Sequence, residues 1–154
     1  GAPKHFLSWS NNLTWRNFDL SVFFRGTFGF DVFNMRKYGM GLQGCGTDNV
    51  LRSAYLEDKN IRTGGGVISS YFLEDGSFIK LENVTLGYNF TPKNRKLLDN
   101  MRIYLSAKNL FTLTGYSGND PSIIDVNGIQ PGVDSNSAYP TATQLSLGVT
   151  LRFK

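Results

Sequence analysis

One cysteine and one histidine in 154 residues deny this chain a disulfide framework, a His/Cys zinc cage and easy histidine general-base chemistry. Charge is scarce at 18%, whereas aromatics are abundant at 12 Phe, 7 Tyr and 2 Trp, which excludes disorder as the main state. No apolar run approaches the roughly 18 residues a membrane-spanning helix needs. The surplus of 16 basic over 12 acidic residues gives a mild, scattered +4, with no footprint for nucleic acid. The opening Gly1-Ala2-Pro3-Lys4-His5 lacks the apolar stretch of a signal peptide. A strand pattern begins almost at once, so the chain is expected to be a piece of something longer. What is plentiful is Gly (17), Phe, Asn and Thr, the composition of β-structure with many turns.

Period-two alternation dominates the sequence. Over 5–16, Leu7, Trp9, Leu13 and Trp15 share one face, with Asn11 the exception, against Ser8, Ser10, Asn12, Thr14 and Arg16. Over 18–30, Phe18, Leu20, Val22, Phe24, Phe28 and Phe30 oppose Asp19, Ser21, Arg25 and Thr27. A third strand is expected over 78–90, with Val84, Leu86, Tyr88 and Phe90 on one face and a bulge in its first half, where Ile79 and Leu81 fall out of phase. A fourth is expected over 102–112, with Ile103, Leu105, Ala107 and Phe111 together. The fifth, 143–153, alternates Leu145, Leu147, Val149, Leu151 and Phe153 with Gln144, Ser146, Gly148, Thr150 and Arg152. Between them lie two short connections, 16–17 and 91–100 (the latter read as one helical turn after Thr91-Pro92), and two long aperiodic loops, 31–77 and 113–142.

Long strands, short turns alternating with long loops, and aromatics near strand ends match a transmembrane β-barrel with interfacial girdles. A compact soluble domain rarely holds one structureless loop above about 12–15 residues. Five strands cannot close, since the smallest single-chain barrels have about 8 and an open edge in hydrocarbon leaves backbone groups unpaired. The expected fold class is therefore all-β, antiparallel strands forming part of a larger barrel, with the turns periplasmic and the long loops outside. Two competing expectations are a soluble β-sandwich serving as a carbohydrate-binding module and a small barrel assembled from several copies of this chain.

Three stretches carry a family resemblance: Trp15-Arg16-Asn17-Phe18-Asp19-Leu20-Ser21-Val22-Phe23-Phe24-Arg25-Gly26, then residues 73–88 (LEDGSFIKLENVTLGY), then 108–121, with Asn109, Leu110, Phe111, Thr112, Gly115, Tyr116, Asp120 and Pro121. In that order, ahead of a terminal amphipathic strand, they resemble the SusC/RagA-like TonB-dependent outer-membrane transporters of Bacteroidetes. The resemblance implies the C-terminal strands of a large plugged barrel of about 22 strands. It also implies an importer of glycans or oligopeptides, a SusD-like surface lipoprotein as partner, and energy from the TonB complex through an N-terminal part not matched here. The segment Leu145, Leu147, Val149, Leu151 and Phe153 resembles the β-signal for outer-membrane insertion, with Lys154 a small departure.

No catalytic, cofactor or metal set emerges. Glu57-Asp58 and Glu74-Asp75 are adjacent loop acids expected to be solvated. Asp120, Asp125 and Asn127 lack an EF-hand spacing and read as turn residues. Cys45 reads as a free thiol, and Gly64-Gly65-Gly66 lacks the Lys-Ser/Thr of a phosphate loop. Tyr55, Tyr71, Tyr116, Asn119, Asn136 and Tyr139 are the loop side chains suited to stack on or hydrogen-bond a substrate or partner.

Overall fold

A computed structural model describes residues 1–41, 49–56, 68–92, 98–124, 129–135 and 138–153. The chain divides into two compact units. One is Phe6–Gly26, Ile79–Leu113 and Thr141–Lys154; the other is Gly1–His5, Thr27–Phe78 and Thr114–Pro140. In chain order the elements are β1 (His5–Trp15), β2 (Phe18–Phe28), β3 (Asp31–Asn34), α1 (Met35–Met40), α2 (Ser53–Leu56), β4 (Leu73–Asp75), β5 (Phe78–Phe90), β6 (Leu98–Thr114), β7 (Val133–Asp134) and β8 (Gln144–Phe153).

The first unit is built on an open five-stranded sheet in the order β1-β2-β5-β6-β8, so every long strand lies beside its predecessor in the sheet. These strands run 10 to 17 residues, at or beyond the roughly 9–11 that a tilted strand needs to cross a bilayer. The antiparallel β6–β8 register matches like with like. Ile103 faces Val149, Leu105 faces Leu147 and Ala107 faces Leu145, while Arg102 faces Thr150, Tyr104 faces Gly148 and Ser106 faces Ser146. A slip of one residue would bring apolar side chains onto the polar face, which is why alternation specifies register so strongly.

The apolar face is bare. Leu147 is 76% exposed, Leu145 71% and Trp15 67%, and Leu7, Trp9, Leu13, Leu86, Leu105 and Phe111 are exposed as well. A sandwich would bury this face under a second sheet; among the described residues it has no such cover. Aromatics group on it, Trp9 with Phe24 at 5.7 Å and Phe18 with Tyr88 at 4.9 Å.

The second unit has structure where an aperiodic loop was expected. β3 pairs antiparallel with β4 (Val32 opposite Glu74) and parallel with β7 (Phe33 opposite Val133). Phe30, Val32, Phe78 and Tyr116 form a buried core, with Ile124 packed against it. Strands of two to four residues are too short for periodicity to declare them. The second strand also stops earlier than expected. Gly29 takes a φ of +73°, which ends β2 at Phe28 and sends Phe30 into this core instead of an interfacial girdle. At the other connection, residues 98–100 are strand where a helical turn was expected; 93–97 lie outside the described residues. β6 likewise continues to Thr114, beyond the expected 112.

Candidate functional surfaces

On the polar side of the five-stranded sheet, side chains distant in sequence are bonded in a row. Asp19 on β2 accepts from both Nε and Nη2 of Arg102 on β6, the Nε lying 3.1 Å from Oδ1, and from the Asn89 amide on β5 at 2.8 Å. The row crosses β5 at Gly87, where a Cβ would lie 2.5 Å from Asp19 Oδ1 and 2.8 Å from Arg102 Nε. Arg102 also stands over the Tyr104 ring at 5.1 Å. Tyr104 in turn covers Gly148 on β8, where a Cβ would come within 2.3 Å of its ring. Farther along, Thr85 donates to Ser106 at 3.1 Å, Ser106 to Asn83 at 3.3 Å, and Arg25 pairs with Glu82 at 3.3 Å. Charges of this density are costly in hydrocarbon, so this is the wetted side of the sheet and the apolar side is the lipid-facing one.

The second unit carries a cleft of about 630 Å³, lined by Asn34, Arg36, Lys37, Arg52, Glu74 and Ser117 among others. Asn34 organises it. Buried to 2% exposure, its Oδ1 accepts from Lys37 N at 2.9 Å and so caps α1, while its Nδ2 donates to Glu74 at 3.3 Å and to Ser117 Oγ at 3.1 Å. Ser117 then donates to Glu74 from its backbone N–H at 2.9 Å and from its hydroxyl at 2.8 Å. Lys37 Nζ lies 3.6 Å from the same carboxylate and 4.3 Å from the centre of the Tyr71 ring. Burial pushes the Glu74 carboxyl up, but Ser117, the Lys37 charge and the Asn34 amide together hold it below the usual carboxylate range. Glu74 is therefore an engaged, half-buried side chain and not the solvated acid expected. Its neighbour Asp75 accepts from the Ser77 hydroxyl and N–H, which hold it low as well.

The side chains singled out from sequence are separated by this geometry. Tyr116 is a core residue, 6% exposed, whose hydroxyl donates to Asp134 at 2.6 Å; burial and that carboxylate drive its pKa far up. Asp120 is buried and caps a short 3-10 turn that starts at Pro121 by accepting from Ser122 N at 2.9 Å. Asn119 is exposed and accepts from Arg36 at 2.9 Å. Tyr71 packs edge-on against Phe72 at 5.2 Å, whereas Tyr55 and Tyr139 project, at 60% and 89% exposure. Asn109 takes a φ of 53°, its carbonyl accepting from Thr143 at 2.9 Å and its amide donating to Ala142 O at 3.3 Å, and Leu110 and Phe111 follow it exposed. Thr112 and Gly115 belong respectively to β6 and to the cleft lining. Asn136, Cys45, Glu57-Asp58, Gly64-Gly65-Gly66, Asp125 and Asn127 lie outside the described residues. Asn34, Lys37 and Arg102 were not singled out for a role from sequence; the Asn34 side chain meets partners 40 and 83 positions away, beyond any local motif.

A long-stranded antiparallel sheet, bare and apolar on one side and ion-paired on the other, is a stretch of transmembrane β-barrel wall. No family model matches the chain. It is similar to TonB-dependent receptor P3 of Formosa agariphila, 26% identical over 99% of this chain and 16% of the relative. It is also similar to TonB-dependent receptor SusC of Bacteroides thetaiotaomicron, 28% identical over 94% of this chain and 14% of the relative. Among solved structures, one of the RagAB peptide transporter superposes with a TM-score of 0.75 and 26% identity, over 97% of this chain and 17% of that one. Over nearly its whole length the chain is thus similar to TonB-dependent receptors of the SusC/RagA type, which are proteins of the bacterial outer membrane. It spans about a sixth of the length of those relatives.

Proposed function

We propose that this chain is the C-terminal barrel wall of a TonB-dependent importer of large nutrients, glycans or oligopeptides, that works with a SusD-like surface lipoprotein. The observation that carries the reading is the two-sided sheet, lipid-facing on one side and bonded through Asp19, Asn89 and Arg102 on the other, in a chain similar to a solved peptide transporter. The long segments 31–77 and 113–142 face outside, and the short connections after β1 and after β5 face the periplasm. The exposed Tyr55, Asn119 and Tyr139 contact substrate or lipoprotein, and Leu145, Leu147, Val149, Leu151 and Phe153 act as the β-signal. The wall shapes a passage, and the chemical work of import comes from the inner membrane through the TonB complex.

The test is purification of the polypeptide carrying this sequence from outer membranes of its source. The expected result is a detergent-extracted barrel that brings down one lipoprotein and whose uptake of labelled oligosaccharide or oligopeptide stops when TonB is deleted. Recovery in the soluble fraction, or uptake indifferent to TonB, overturns the reading.

A further inference from the structure

We propose that the lipid-facing side of the sheet, next to the β1–β2 turn, holds one anionic glycerophospholipid, with an acyl chain in a shallow groove and its phosphate on Arg16. The inference rests on the barrel reading above. The groove, about 160 Å³ and almost wholly apolar, is lined by Phe18, Leu86, Tyr88, Ile103, Leu105 and Leu147. It leads directly to a cation. Phe18 packs on Tyr88 at 4.9 Å and stacks with Trp15 at 6.5 Å, and the Arg16 guanidinium lies over the Trp15 ring at 5.1 Å. Guanidinium, indole, phenyl ring and groove thus form one strip with the polarity order of a phospholipid, head to tail.

Two further observations favour an anionic head group. Among the described residues no carboxylate pairs with Arg16. Arg16 also sits at a φ of 54°, where Gly or Asn would cost the backbone less, so the guanidinium is kept against a local preference. The charge distribution along the sequence agrees. The connections after β1 and after β5 carry Arg16, Lys93, Arg95 and Lys96 and no acid, whereas nine of the 12 acidic residues, against five basic ones, fall in 31–77 and 113–142. Basic side chains beside an apolar face attract anionic lipid. With the short turns on the periplasmic side, the matching lipid is a glycerophospholipid of the inner leaflet and not lipopolysaccharide.

The complete transporter, purified in detergent, would be titrated separately with phosphatidylglycerol, phosphatidylcholine of the same chains, and lipid A, and bound lipid counted by native mass spectrometry. The expected result is one retained phosphatidylglycerol, preferred over phosphatidylcholine. Arg16→Gln should lower that preference about fivefold, the worth of one basic side chain at an anionic surface, and Arg16→Lys should largely keep it. Leu105→Trp, which fills the groove, should weaken retention of both phospholipids. Equal retention of the two by the parent, unchanged preference in Arg16→Gln, or stronger binding of lipid A would overturn the site. Heat-modifiable gel mobility reports whether each variant is a folded barrel, and a protein that stays soluble without detergent would refute the barrel reading instead.

Discussion

Asn109 shows how one residue's backbone can matter more than its side-chain class. Its φ of 53° inside β6 lies in a region that Asn tolerates and a β-branched residue does not. Asn109→Val should therefore destabilise the barrel by about 1–2 kcal/mol, and Asn109→Gly by much less. Urea titration of both variants in lipid vesicles, followed by tryptophan fluorescence, would decide; equal losses would mean that the bond to Ala142 is the important part. Gly87 makes the complementary case. A Cβ there meets the Asp19–Arg102 pair at 2.5 and 2.8 Å, so Gly87→Ala should displace the pair and lose as much stability as Asp19→Asn, with no further loss in the double variant.

For a whole strand, burial and charge follow the side of the sheet. Leu147→Arg should cost roughly 2–4 kcal/mol and impair insertion, while Ser146→Arg should be mild, because the first faces hydrocarbon and the second does not. Assembly yield of the two variants in outer membranes measures this, and equal tolerance would reverse the assignment of faces. The long strands were legible in sequence for the same reason: ten or more residues of alternation, as from Gln144 to Phe153, leave one consistent reading. The short elements were not. Val32, Glu74 and Val133 belong to strands of four, three and two residues, whose pairing is decided by tertiary contacts. Tyr116 was read as a presented loop aromatic because nothing local reveals that Phe30, Val32 and Phe78 surround it. Glu74 was taken for a solvated acid because its donors, Asn34 and Ser117, are 40 and 43 positions away.

At the scale of the whole molecule, the second unit is held by ionised carboxylates and is therefore sensitive to acid. The folded pKa of Glu74 is lowered, so its contribution is fully present above the ordinary value of 4.5 and is lost as pH falls below it. The hydrogen-exchange protection factors of the β3 and β4 amides, taken relative to the intrinsic rate at each pH, should fall on acidification through that range, and Glu74→Gln should flatten that pH dependence while lowering protection at neutral pH. Protection factors independent of pH in the parent would show that the Asn34–Ser117 bond holds the cleft by itself. The parallel pairing of Phe33 with Val133 has a kinetic consequence. β3 is synthesised early, yet one of its two partners is made a hundred positions later, after β4, β5 and β6. Loop closure over that span is slow compared with a two-residue hairpin. The small sheet therefore cannot be complete until β1, β2, β5 and β6 have been made, and of the long strands only β8 follows it in the chain.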